Sequence, residues 1–254
     1  IELSLNADAI RTKDFDWNIS LNLAHNENEV TRLSNDVFTM DKILLGDVFI
    51  RGGSSSGTHV LEEGRPIGQF YGLVCNGIDE NGRYILVDKD GDGEISDPAD
   101  YDYIGSAQPK LTYGITNSFR YKNFDLSFFL RGTIGNDILN ATRMAYAQSG
   151  FLPGTNALDD PLTYTLSETP RFSNYYLEKG SFMRLDNLTL GYKIKALNGI
   201  RVYFTAQNLF VITKYKGLDP EVPMDSGDGL TPGVEPREFY PKARTFSVGL
   251  NLNF

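Results

Sequence analysis

At 254 residues the chain is long enough to bury a sizeable core, so length alone excludes little. A net charge of −9 argues against a nucleic-acid partner, which needs a basic footprint, and no run approaches the ~20 apolar residues of a transmembrane helix. With 25 Gly, 16 Phe and 14 Tyr against 11 Pro, the composition favours strands and turns over helices, and the lone Cys75 cannot close an internal disulfide.

In chain order, seven segments alternate apolar and polar residues with the period of a strand. Ile1, Leu3, Leu5 and Ala7 alternate with Glu2, Ser4, Asn6 and Asp8. Trp17, Ile19, Leu21 and Leu23 alternate with Asp16, Asn18, Ser20 and Asn22. Leu111, Tyr113, Ile115, Phe119 and Tyr121 form the third pattern, and Phe124, Leu126, Phe128, Leu130 and Ile134 the fourth, with Phe129 an apolar intruder. Leu188, Leu190 and Tyr192 mark the fifth strand, and Val202, Phe204 and Ala206 the sixth. The last is the clearest: Phe246, Val248, Leu250, Leu252 and Phe254 lie between Thr245, Ser247, Gly249, Asn251 and Asn253. Its length fits the 9–11 residues of a tilted membrane strand, and its terminal aromatic resembles the end of outer-membrane barrels.

A soluble sandwich also alternates, so the connections carry the distinction. Links around Thr12-Lys13-Asp14, Lys122-Asn123 and Ala196–Gly199 are short. Those from about 29 to 110, 139 to 180 and 214 to 241 are long, so short and long alternate strictly. An up-and-down barrel then places all short turns on one rim and all long loops on the other, as outer-membrane barrels do. Phe15, Trp17, Tyr121, Phe124, Tyr192, Tyr203 and Phe254 gather near the short turns as an interfacial girdle would. Seven strands cannot close a bacterial barrel, so the reading is a piece of a larger one, with the missing strands on the N-terminal side. The expected fold is all-β, an antiparallel transmembrane barrel with a long extracellular loop region at 29–110.

Within that region, residues 88–100 read DKDGDGEISDPAD. Asp88, Asp90 and Asp92 at relative positions 1, 3 and 5, a glycine at 6 and Ile95 at 8 match the start of an EF-hand-type loop, with the Glu94 carbonyl at position 7. Carboxylates so spaced can converge on one hard cation, so Ca²⁺ in a structural role is expected. Ala99 stands where the twelfth ligand belongs; Asp100, one residue late, completes the set if the chain bulges, and Asp97 is the weaker substitute. The alternative is a solvated acidic turn.

His25 and His59 lack metal-ligand spacing, Gly52–Gly57 lacks the context of a phosphate-binding loop, and no catalytic constellation is visible, so no enzyme is expected. Taken together, Glu63–Gly72, the acidic loop, Ile104–Pro109, Gly135-Asn136-Asp137, Tyr176–Leu185, Gln207–Phe210, Gly217–Glu221 and the final strand resemble the C-terminal third of the SusC/RagA family of TonB-dependent transporters, typical of Bacteroidetes. The resemblance implies strands sixteen to twenty-two of a 22-stranded barrel, with the plug domain and TonB box absent from these residues. It also implies an outer-membrane location, a SusD-like lipoprotein partner, energy delivered through TonB, and import of glycan oligosaccharides or peptides. The competing readings are a smaller outer-membrane barrel acting as scaffold and a secreted, calcium-dependent, glycan-binding sandwich whose apolar faces would form a dry core.

Overall fold

The computed structural model describes residues 1–53, 57–197, 200–222, 229–237 and 240–252. Two long strands open it, β1 (Glu2–Arg11) and β2 (Phe15–Ala24). Six short ones follow: β3 (Lys42–Leu45), β4 (His59–Glu62), β5 (Gln69–Leu73), β6 (Cys75–Ile78), β7 (Tyr84–Leu86) and β8 (Tyr101–Ser106). Next come β9 (Leu111–Tyr121), β10 (Phe124–Ile134), β11 (Asp137–Leu139), β12 (Leu177–Lys179), β13 (Phe182–Ile194), β14 (Ile200–Thr213) and β15 (Thr245–Asn251). Two short helices, α1 (Ala141–Tyr146) and α2 (Pro161–Thr165), lie between β11 and β12.

The long strands form one seven-stranded antiparallel sheet in the order β1-β2-β9-β10-β13-β14-β15, each beside its predecessor among the long strands. These are the seven expected strands. Phe254, the expected terminal aromatic, lies outside the described residues.

The register carries one apolar face across the whole sheet. Leu5 pairs with Leu21, Leu21 with Ile115, and Ile115 with Leu130. Nearer the short turns, Leu126 pairs with Leu190, Leu190 with Phe204, and Phe204 with Val248. That face is open: Val248 is 76% exposed, Leu250 62% and Phe246 58%. No second sheet covers it among the described residues, which removes the dry core that a sandwich requires.

The short turns share one end of the sheet and are tied together. The Lys122 amide donates to the Asp14 carbonyl at 2.8 Å, and the Lys193 amide to the Asn123 carbonyl at 2.9 Å. The aromatics expected there are in ring contact: Trp17 stacks on Phe119 at 5.7 Å, and Phe124 lies tilted against Tyr192 at 4.6 Å between centroids. Tyr203 is a correction. Its register partners are Gly191 and Gly249, so it belongs to the polar face, where its ring fills the space a Cβ at Gly249 would need.

The buried core lies in the long connections instead of the main sheet. Phe70, Phe172, Tyr176, Leu139 and Met144 are fully or almost fully buried in one cluster drawn from residues 48–177. The 29–110 connection is itself folded, with β3-β4-β5-β8 as one small sheet and β6-β7 as another.

Candidate functional site

The acidic loop is held between β7 and β8, both anchored in the folded connection. Gly91 and Gly93 take positive φ of 79° and 89°, a conformation that favours glycine and lets the chain curl around the aspartates. Asp88 receives the amides of Gly91 at 2.6 Å and Gly93 at 2.9 Å. The second contact joins positions 1 and 6 of the calcium-loop numbering.

Asp100 is drawn in by the turn that precedes it, its amide donating to the Ser96 carbonyl at 3.1 Å. Its carboxylate, almost wholly buried, accepts the amides of Lys89 at 2.5 Å and Ser96 at 2.7 Å. The Ser96 and then the Lys89 amide hold this carboxyl below its ordinary value of 3.8.

Carboxylate oxygens of Asp88, Asp90 and Asp100 all lie within 4.8 Å of one another, close enough to share one cation. Asp92 stands apart from this group and accepts the Glu94 amide at 2.8 Å. Asp97 is turned away, paired with Arg171 at 2.8 Å. The late acid, Asp100, occupies the place that the spacing left open between it and Asp97.

A second constellation sits at the long-loop end of the polar face. Arg131 and Arg184 are direct register partners on β10 and β13, a pairing of like charges that is unfavourable alone. Glu221 resolves it: Arg131 donates to its two oxygens at 2.7 and 3.0 Å, and Arg184 lies 3.4 Å away. Asp219 takes Arg184 at 2.5 Å, Asp186 takes Arg131 at 3.1 Å, and Lys242 reaches Glu221 at 2.5 Å. These pairs fasten Gly217–Glu221 to the sheet's polar face. The cluster escaped sequence reasoning because its members are scattered; the available signal was two arginines on the polar faces of adjacent strands.

No family model matches the chain. Among curated proteins, the TonB-dependent receptor SusC of Bacteroides thetaiotaomicron is 36% identical over an alignment covering 100% of this chain and 26% of that receptor. The TonB-dependent receptor P3 of Formosa agariphila is 32% identical, over 100% of this chain and 28% of that protein. Among solved structures, the RagAB peptide transporter superposes with a TM-score of 0.75 at 26% identity, covering 98% of this chain and 28% of the matched one. The chain thus spans little more than a quarter of the length of these relatives, which are receptors and a transporter, not enzymes. With the motifs, the sheet order and these relatives in agreement along its whole length, the chain belongs to the SusC/RagA family of TonB-dependent receptors.

Proposed function

We propose that this chain is the C-terminal wall of a 22-stranded outer-membrane barrel, and that the complete receptor imports nutrients with energy delivered through TonB. The observation that carries the reading is the inverted arrangement of the main sheet. One face is apolar across seven strands and open, while the buried core lies in the long connections. Such a face is stable against hydrocarbon, and its opposite, polar face then lines a lumen. The short turns belong on the periplasmic rim and the folded loops outside the cell. Likeness to the RagAB peptide transporter supports a peptide as cargo, the family resemblance adds a glycan oligosaccharide as the alternative, and the resemblance also supports an extracellular SusD-like lipoprotein as partner.

Ca²⁺ belongs to the same reading as a structural ion. The residues present fit it: three converging carboxylates, all-oxygen donors and a loop curled by two glycines suit a hard, flexible-coordination cation. Asp88, Asp90 and Asp100 would hold it, and the ion would relieve their mutual repulsion.

Uptake of labelled oligosaccharides and oligopeptides by cells expressing the complete receptor tests the function. Accumulation of one class that stops when TonB is deleted or a protonophore added is the expected result. Uptake indifferent to both would contradict it.

A further inference from the structure

The short-turn end of the main sheet is basic in a chain whose net charge is −9. Between 11 and 16, 120 and 125, and 193 and 201 stand Arg11, Lys13, Arg120, Lys122, Lys193, Lys195 and Arg201, against Asp14, Asp16 and Asp125. The arginines are committed: Arg11 to Asp8 at 3.7 Å, Arg120 to Asp16, and Arg201 to Asp125 at 2.5 Å. Lys13, Lys122, Lys193 and Lys195 are exposed and form no ion pair among the described residues. Asp14 is the one acid left over beside them.

The apolar face ends at this rim in a row of rings. Phe15 pairs with Tyr121, Tyr121 with Phe124, and Phe124 with Tyr192, so four adjacent strands each contribute one aromatic. Such a row suits the boundary between hydrocarbon and headgroups. Lys122 follows Tyr121 directly, and its ammonium lies 5.3 Å from the centroid of that ring, which brings the charge to the apolar side of the rim. Lys122 holds a φ of 55°, in the region that favours glycine, so the turn geometry does not itself call for a lysine. Backbone contacts set the flanking turns alongside. The Lys122 amide binds the carbonyl of Asp14, next to Lys13, and the Asn123 carbonyl takes the amide of Lys193, two residues before Lys195. Lys193 itself is the register partner of Arg201, on the polar face.

Unpaired ammonium groups at the edge of a hydrocarbon layer are matched by a phosphate that carries net negative charge at the same depth. A zwitterionic headgroup cancels that charge within itself. We propose that Lys13, Lys122 and Lys195 form a docking surface for the anionic headgroup of a phospholipid in the leaflet beside the short turns. Continuity with the aromatic row, and the lean of Lys122 onto Tyr121, favour a lipid over a protein partner. The inference rests on the barrel reading and adds to it a preference among lipids.

The test places the complete receptor in phosphatidylcholine vesicles holding a trace of phosphatidylglycerol or of phosphatidylcholine with a nitroxide on its acyl chain. The motionally restricted fraction of each probe gives its relative association with the protein. Phosphatidylglycerol should be preferred about fivefold or more, the worth of one lysine at a charged surface. In about 1 M salt, where screening acts within roughly 3 Å, the preference should collapse, and this arm needs no variant. Joint Lys13→Gln, Lys122→Gln and Lys195→Gln should lower it by about fivefold. Lys193→Gln on the polar face, and Lys110→Gln with Lys216→Gln at the opposite end of the sheet, should leave it intact. The proposal is overturned if the two probes associate equally, or if the triple variant keeps the parent's preference. It is equally overturned if either comparison variant loses as much, which would place the effect in the lumen or in total charge. A receptor that inserts and imports its nutrient without the preference sinks this proposal alone; a receptor that does not insert into vesicles overturns the barrel reading with it.

Discussion

Asn117 is a polar residue on the apolar face of β9, with Ile19 and Phe128 as its register partners. It is tolerated because the Trp17 indole donates to its Oδ1 at 3.0 Å, leaving the ring stacked on Phe119. Trp17→Phe keeps most of the packing but orphans the amide, so it should cost about 1–3 kcal/mol. Adding Asn117→Leu should recover most of that loss, as urea unfolding of the complete receptor in lipid vesicles can measure. Asp100 sets a pH dependence at the same scale. Its folded carboxyl lies below the ordinary 3.8, so its contribution is present above that value and is lost as pH falls through the folded one. Protection of residues 88–101 against protease, measured with an acid-tolerant enzyme, should therefore be flat from neutral pH downward and fail only below about pH 4. Loss of protection near pH 6 would point to a different group. Ca²⁺ should raise this protection, and Asp90→Ala should remove the gain while the barrel stays folded.

At the scale of elements, the strands accommodate bulk on the polar face through glycine. Phe129 of β10, the apolar intruder in the sequence pattern, lies over Gly114, where an added Cβ would sit 3.0 Å from its ring. Gly191 of β13 leaves room for Arg201 of β14 to reach past it to Asp125 of β10 with two contacts of 2.9 and 2.5 Å. Gly191→Val should break that span and destabilise the sheet by about 1–3 kcal/mol, the usual range for overpacking. The long strands were legible in the sequence because alternation writes both faces into it, as in residues 245–251. The small strands were not: β6 and β7 are four and three residues long, too short to show a period, and their Cys75 and Tyr84 are buried in the same cluster as Phe172 and Tyr176, from distant parts of the chain. Asp100 was legible as a candidate but not as the choice over Asp97. That choice is made by the Ser96–Asp100 turn and by Arg171, which lies 74 residues from Asp97 in the chain.

For the whole molecule, the sheet supplies a wall and the long connections supply the folded mass at one end of it. The charge cluster of Arg131, Arg184, Asp219 and Glu221 joins the two, so the loop at 217–221 should be a fixed part of the polar face. Asp219→Asn removes the hydrogen-bonded partner of the buried Arg184 guanidinium, leaving only Glu221 at 3.4 Å, and should cost about 1.5–3 kcal/mol. The central claim is that the apolar face meets lipid and the polar face meets water. Nitroxide labels on single cysteines at 245, 246, 247 and 248 test it most directly, in the complete receptor in vesicles with Cys75→Ser as background. Collision rates with dissolved oxygen and with a water-soluble nickel chelate are read at each position. Labels at 246 and 248 should favour oxygen, and those at 245 and 247 should favour nickel. Nickel access at all four positions, or no alternation between them, would contradict the account.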